Sequence, residues 1–160
     1  MMVIFNAYYW PSIVQTYIVI GPYMRNKKVV MMNVLLATDG KPHSGKAIDY
    51  AIEFASRYGA TLFIVFVVSP KQGEDSEKAV KAGMAVLEEV KKKAVDKGVN
   101  ATGLLEAGSP YETILAAAER INADAIVVGT SGKTVIDRVL IGSVSEYVVR
   151  NARCTVIVVK

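Results

Sequence analysis

The chain has 160 residues, of which 52% are hydrophobic and 21% charged, so we expect a single domain with a real apolar core rather than a disordered chain. The formal net charge is +4, but the basic residues are scattered. Their only run, Lys91-Lys92-Lys93, has no aromatic residues beside it, so nucleic acid is not an expected partner. The single cysteine, Cys154, excludes an internal disulfide and, lying in an apolar run, indicates a small buried residue. A reducing, cytoplasmic location fits this cysteine usage.

Residues 1–30 differ in composition from the rest of the chain. Residues 1–24 contain no Asp, Glu, Lys or Arg, and their length approaches the roughly 20 apolar residues of a membrane span. Polar residues and two prolines, Pro11 and Pro22, interrupt the segment. It also lacks the positive start and the cleavage site of a secretory signal.

Three interpretations of this extension compete. Translation could begin at Met31 or Met32, which would make residues 1–30 a gene-start artefact or an untidy tail. The segment could instead anchor the chain in a membrane, or pack on the domain or on a partner. We favour the first, because residues 31–160 carry every element of a complete domain; membrane contact by residues 1–24 is less favoured.

The elements of the domain begin with a short apolar run, Asn33–Ala37, which predicts a buried strand ending in Thr38-Asp39-Gly40. Ser44 can cap the helix that follows, and Gly59 ends it. Thr61–Val68 is apolar on both faces and predicts the second strand. A long helix follows from about Glu77 to Lys97.

The second half continues the alternation. Asn100–Ala107 has a weaker pattern, typical of an edge strand. Pro110 opens the next helix, Ala125–Val128 is a fully apolar fourth strand, and a loop leads to a helix over Ser143–Asn151. Thr155–Val159 is the last strand. Strands that are apolar on both faces and alternate with helices predict a doubly wound, three-layer α/β/α domain with a five-stranded parallel sheet.

One loop carries the strongest functional pattern. Gly129-Thr130-Ser131-Gly132 is followed, after nine residues, by Gly142-Ser143. Without a side chain at Gly132, backbone N–H groups can approach phosphate oxygens. Gly142-Ser143 opens a helix, whose free N–H groups and positive dipole end favour an anion. Ser143 can cap that helix and also offer its hydroxyl to a phosphate.

This spacing resembles that of the ATP-binding branch of the universal stress protein family. The resemblance covers about residues 32 to 160 in order: Leu35 to Gly40, Gly108-Ser109-Pro110, Ala123 to Gly129 and Val156 to Val159. It implies a Rossmann-like sheet with the strand order 3-2-1-4-5, and ATP, accompanied by Mg or Mn, as the ligand. No protein ligand cluster for a metal is visible in the sequence.

The resemblance also implies a role for individual residues. Asp39, beside Thr38, holds the ribose or the adenine edge, and Val67 meets adenine through its backbone. The ribose and phosphates are held by Gly129, Gly132, Gly142, Ser143 and Val144, with Lys133 within reach of a phosphate. One position departs from the family, which often has a hydroxyl residue where this chain has Lys41.

The family's strand order places the last strand at the edge of the sheet. Thr155–Val159 would then expose unpaired backbone groups, which pairing with a second copy would satisfy. We therefore predict a homodimer through this strand, and the resemblance implies the same arrangement.

Three functions remain open from the sequence. The first is an ATP-dependent switch in a stress response, acting as a homodimer. The second is a slow ATP hydrolase, for which Lys133 could stabilise charge but no residue is available to orient water, so no catalytic residue is assigned. The third is an interaction module that binds no nucleotide.

Overall fold

The computed structural model describes residues 4–6, 16–19, 32–69, 75–130 and 142–160. The strands in these ranges are β1 (Ile4–Asn6), β2 (Thr16–Val19), β3 (Asn33–Ala37), β4 (Thr61–Val68), β5 (Ala101–Ala107), β6 (Ala125–Gly129) and β7 (Thr155–Val159). The helices are a short 3₁₀ helix (Pro42–Ser44), α1 (Gly45–Tyr58), α2 (Ser76–Asp96), α3 (Pro110–Arg120) and α4 (Ser143–Asn151).

Five of the strands form a parallel sheet in the order β5-β4-β3-β6-β7. Numbered from β3, this is the predicted order 3-2-1-4-5, and β5 lies at an edge as its weaker pattern indicates. Helices α1 and α2 pack on one face of the sheet, and α3 and α4 pack on the other. The three-layer architecture predicted from the sequence is confirmed.

The central strands are apolar on both faces because each face is covered by helices. Val34 and Leu36 of β3 belong to the core beneath α1 and α2, whereas Leu35 belongs to the core beneath α3 and α4. All three side chains are completely buried. The alternation follows from the two-residue period of a strand, and it explains why the run Val34-Leu35-Leu36 has no polar position.

Two of the four α-helices within the described ranges have ends that their sequence explains directly. Gly59 takes a left-handed conformation (φ +62°) after α1, where a residue with a side chain would be strained. The carboxylate of Asp75 accepts hydrogen bonds from the backbone N–H groups of Glu77 and Lys78, which caps α2.

The predicted capping roles of Ser44 and Ser143 are wrong. The hydroxyl of Ser44 donates to the carbonyl of Lys41 instead, because the chain enters α1 through the 3₁₀ helix. At α4 the capping position belongs to Gly142, and Ser143 is already the first helical residue. A side chain at that position lies too late in the helix to reach the first free N–H groups.

The prediction that Thr155–Val159 forms the edge of the sheet is also wrong. β2 pairs antiparallel with β7, with Thr16 opposite Val159 and Val19 opposite Val156, and β1 pairs antiparallel with β2. In the described part of the chain the sheet therefore has seven strands, in the order β1-β2-β7-β6-β3-β4-β5. The backbone N–H and C=O groups of β7 that were expected to pair with a second copy are instead paired with residues 16–19 of the same chain. Among the described residues, no helix has the length and hydropathy needed to cross a membrane.

Candidate functional site

The site lies where the winding of the parallel sheet changes direction. The chain leaves β3 towards β4 on one side, and β6 lies against β3 on the other. Ala37 is paired with Val128 across these two strands. The loops that follow these strands therefore begin close together, after Ala37 of β3 and Gly129 of β6. In parallel sheets a crevice opens at such a point, beyond the carboxyl ends of the strands.

A cavity of about 320 Å³ occupies this crevice, which is a volume in the lower range of small-molecule sites, about 300–1,000 Å³. The structure brings seven of the nine predicted ligand residues to its wall. They are Thr38, Asp39, Val67, Gly129, Gly142, Ser143 and Val144. The other two, Gly132 and Lys133, lie outside the described residues. These seven residues line one cavity. The contact of each of them with a nucleotide stays a prediction.

One side of the cavity is apolar. Val65 and Val67 of β4, Val128 of β6 and Ile114 of α3 contribute to it. Val65 and Val67 point to the same face of the sheet because they are two residues apart in one strand. A flat, weakly polar group such as a purine ring fits a wall of this kind, since its burial removes apolar surface from water.

Asp39 provides the negative charge at the mouth of the cavity. Its Oδ1 accepts a hydrogen bond from the backbone N–H of Lys41 at 3.0 Å. Its Oδ2 lies 3.4 Å from Lys41 Nζ and 3.4 Å from His43 Nε2. The Asp39 side chain is 43% exposed, so its ion pair with Lys41 and its contact with His43 are solvated and weak. A sugar hydroxyl can therefore take their place on this carboxylate at little cost.

The positive end of the cavity is the beginning of α4. Gly142, Ser143, Val144 and Ser145 line the wall there. The first N–H groups of a helix have no partner within the helix and carry a partial positive charge. Ser145 fixes this turn against the sheet, because its buried hydroxyl donates a 2.6 Å hydrogen bond to the carbonyl of Gly129. Such a turn can hold an anion without having to move first.

Several lining residues are not among those predicted from the sequence. Ser145 follows Ser143 by two residues, but nothing in the sequence indicates that it bonds to the strand rather than to solvent. His43 lines the cavity and reaches Asp39, as only the conformation of the loop reveals. Val65 could have been found, because it precedes Val67 by one strand period.

The described residues provide neither a cluster of metal ligands nor a reactive thiol at the cavity. The described residues contain no group of three or more His, Cys, Asp or Glu side chains able to hold a metal ion. Cys154 does not line the cavity. Burial raises the pKa of its thiol to about 11, which leaves very little thiolate at neutral pH.

Comparisons with known proteins agree with this geometry. A model of the universal stress protein family matches residues 31–160. A universal stress protein of Methanocaldococcus jannaschii is 37% identical over 155 residues, which cover 90% of this chain and 91% of that protein. A putative universal stress protein of Staphylococcus aureus is 35% identical over 142 residues, which cover 82% of this chain and 86% of that protein.

Solved structures show the same fold. A universal stress protein in complex with cAMP is 26% identical, with a TM-score of 0.67 over 81% of this chain and 97% of the other. The family model, the relatives and the shared fold all indicate the same family. This chain belongs to the universal stress protein family.

Proposed function

We propose that the chain binds an adenine nucleotide, with ATP as the physiological ligand, and acts as a nucleotide-dependent switch in a stress response. The observation that carries the proposal is the convergence of an apolar wall, a solvated carboxylate and a helix N-terminus on one cavity. These three features match the base, the sugar and the phosphates of a nucleotide in that order. The complex of a family member with cAMP supports the same ligand class.

The apolar wall would hold adenine, with the backbone at Val67 meeting the edge of the ring. Asp39 would accept hydrogen bonds from the ribose hydroxyls, because a hydroxyl can donate a hydrogen bond and an ionised carboxylate can only accept one. The phosphates would lie at Gly142, Ser143 and Val144, where both the free N–H groups and the helix dipole favour negative charge. Gly132 and Lys133 would complete this end from the segment between β6 and α4.

A divalent ion, Mg or Mn, would accompany the phosphates. The described residues offer no ligand cluster for it, so phosphate oxygens and water would supply most of its coordination. Mg²⁺ is commonly bound in this way, because it keeps several of its waters. The ion would neutralise the phosphate charge that the helix N-terminus alone leaves unbalanced.

We also propose a homodimer through Thr155–Val159, the strand with which β2 is paired in this structure. A second copy can pair with β7 only where residues 16–19 have left that strand. We therefore propose that the dimer and the β2–β7 pairing exclude each other. A cytoplasmic location remains a prediction.

Hydrolysis of ATP is the weaker alternative. A hydrolase must orient a water molecule in line with the transferring phosphoryl group. Asp39 is the only carboxylate among the described lining residues, and the proposal assigns it to the sugar. Turnover faster than on the order of 1 per minute would favour the enzyme over the switch.

Calorimetric titration with ATP tests the proposal. Wild type is compared with Gly132→Val, which would place a branched side chain against the phosphates, and with Ser56→Ala, which changes an exposed residue of α1. We expect Gly132→Val to weaken ATP binding at least about tenfold, or 1.4 kcal/mol, and Ser56→Ala to leave it unchanged. Unchanged affinity in Gly132→Val would contradict the loop, and no binding by wild type at millimolar ATP would favour the interaction module.

A further inference from the structure

The hydroxyl groups of Tyr111 and Ser143 are in contact across two helices. Tyr111 Oη lies 3.3 Å from Ser143 Oγ and is placed to donate a hydrogen bond to it. Tyr111 is the second residue of α3, and Ser143 is the first residue of α4. The contact therefore joins the beginnings of the two helices on the same face of the sheet.

Ring packing holds the Tyr111 hydroxyl in this position. The ring of Tyr111 meets the ring of Tyr147 edge to face, with 5.5 Å between centroids and 73° between planes. Tyr147 lies one turn beyond Ser143, so the two residues share a face of α4. Both tyrosines are 36% exposed. The aromatic pair thus forms an outer wall beside Ser143 and not part of the deep core.

Ser143 is the member of this pair that lies at the cavity wall. Ser143 lines the cavity, as do Pro110 and Ile114 on either side of Tyr111 in α3, whereas Tyr111 itself is not among the lining residues. Among the contacts of the described residues, the hydrogen bond to Ser143 is the one through which Tyr111 can act on a ligand of this cavity.

The chemistry of a phosphate fixes the direction of these hydrogen bonds. Ionised phosphate oxygens only accept, so Ser143 must donate its single proton to them. The lone pairs of Ser143 Oγ are then left for a donor, and Tyr111 Oη is that donor. A chain of two hydroxyls polarises itself, because accepting a hydrogen bond makes a hydroxyl a stronger donor.

We propose that Tyr111 is a positioning residue for the phosphate end of the nucleotide site: it orients and polarises the Ser143 hydroxyl for donation to a phosphate oxygen. The role rests on the proposed function, and it deepens that function by adding a residue outside the cavity that distinguishes phosphorylated from unphosphorylated ligands. Adenosine has nothing at this end, so its binding does not depend on Tyr111.

The test is a calorimetric comparison of ATP and adenosine binding to wild type, Tyr111→Phe, Tyr147→Phe, Ser143→Ala and the double variant Tyr111→Phe/Ser143→Ala. Tyr111→Phe keeps the aromatic ring and removes only the hydroxyl. We expect it to weaken ATP binding about 3- to 10-fold, the range for one hydrogen bond of this kind, and to leave adenosine binding unchanged. Tyr147→Phe, the matched control, leaves both unchanged.

Two further measurements distinguish a positioning role of Tyr111 from a general loss of fold stability. In the Ser143→Ala background, Tyr111→Phe is expected to have no additional effect on ATP binding, because its effect acts through Ser143. The thermal midpoint of Tyr111→Phe should equal that of wild type. Equal weakening of ATP and adenosine, or an undiminished effect without Ser143, would overturn the proposed role.

The outcomes also separate this role from the proposed function. Wild-type binding of ATP with an unchanged affinity in Tyr111→Phe would overturn the role of Tyr111 alone. Wild type that binds neither ATP nor adenosine would overturn the nucleotide function and the role of Tyr111 together.

Discussion

The hydroxyl of Thr38 donates a 3.0 Å hydrogen bond to the hydroxyl of Ser44, and both side chains are buried. Ser44 in turn donates to the carbonyl of Lys41 at 2.8 Å, and the N–H of Gly40 donates to Thr38 Oγ1 at 3.1 Å. The loop after β3 is thus closed by hydrogen bonds between its own residues. Asp39, which lies within it, is held at the mouth of the cavity by this closure.

Thr38→Val should therefore destabilise the fold. The variant keeps the shape of the side chain but leaves the N–H of Gly40 without its acceptor and Ser44 without its donor. We expect the free energy of unfolding to fall by about 1 kcal/mol, the cost of losing the hydrogen bonds that Thr38 makes to Ser44 and Gly40. Urea denaturation measures it, with Thr102→Val on the exposed face of β5 as the control. Equal stability of the two variants would show that the closure contributes nothing.

The parallel sheet could be predicted from the sequence almost residue by residue. Strands such as Thr61–Val68 and Thr155–Val159 are unbroken apolar runs bounded by turn residues, and the structure gives the same bounds. The strand order followed from the family resemblance. The seven described site residues share one cavity because the switch of winding direction brings the loops after β3 and β6 together.

What the sequence could not predict depends on contacts between distant or irregular segments. The pairing of β2 with β7 involves four residues in a segment with no regular pattern. The contact of Tyr111 with Ser143 joins residues 32 positions apart. The predicted cap, Ser143, is one residue too late, because the sequence alone does not show that Gly142 takes the non-helical conformation of a cap.

Gly83 allows α2 to approach the sheet closely. A Cβ added there would lie 2.7 Å from Leu105 Cδ1 and 2.8 Å from Phe66 Cδ1. We expect Gly83→Ala to lower the free energy of unfolding by about 1–3 kcal/mol through overpacking, even though alanine favours a helix by about 1 kcal/mol. Guanidinium denaturation measures the change.

Gly45→Ala in α1 is the matched control for that substitution, because a Cβ at Gly45 meets no atom within 4 Å. It should leave stability unchanged or raise it by up to about 1 kcal/mol. A stabilising Gly83→Ala would contradict the close approach of α2 to β4 and β5.

Cys154 should react slowly with iodoacetamide in the folded protein. Burial raises the pKa of its thiol from 9.0 to about 11, so at pH 8 the thiolate fraction is about 100-fold lower than in the unfolded chain. The labelling rate measured by mass spectrometry should rise about tenfold per pH unit up to pH 11. Equal rates in native and urea-unfolded protein at pH 8 would contradict the burial.

The raised pKa of the Cys154 thiol also makes the free energy of unfolding depend on pH. The folded pKa is raised, so the contribution of the neutral thiol is fully present below pH 9 and is lost as pH rises from 9 to 11. Cys154→Ala should remove this loss from the pH dependence of unfolding.

The pairing of β2 with β7 predicts the oligomeric state. While residues 16–19 are paired with the edge of β7, the chain should not dimerise through that strand. Tyr17→Pro/Ile18→Pro removes two adjacent backbone N–H groups from β2 and should free β7 for a second copy. Light scattering after gel filtration should then show a dimer, whereas Tyr17→Thr/Ile18→Thr, which keeps the N–H groups, should behave as wild type. A wild-type dimer that the proline variant leaves unchanged would contradict the exclusion.

The small molecules carried by the freshly purified protein test the proposed adenine-nucleotide cavity most directly. Denaturation followed by mass spectrometry of the released fraction identifies them without any assumption about affinity. We predict an adenine nucleotide, ATP foremost, in an amount approaching one per chain. Release of no nucleotide, together with no binding at millimolar ATP, would contradict the proposed function while leaving the fold unaffected.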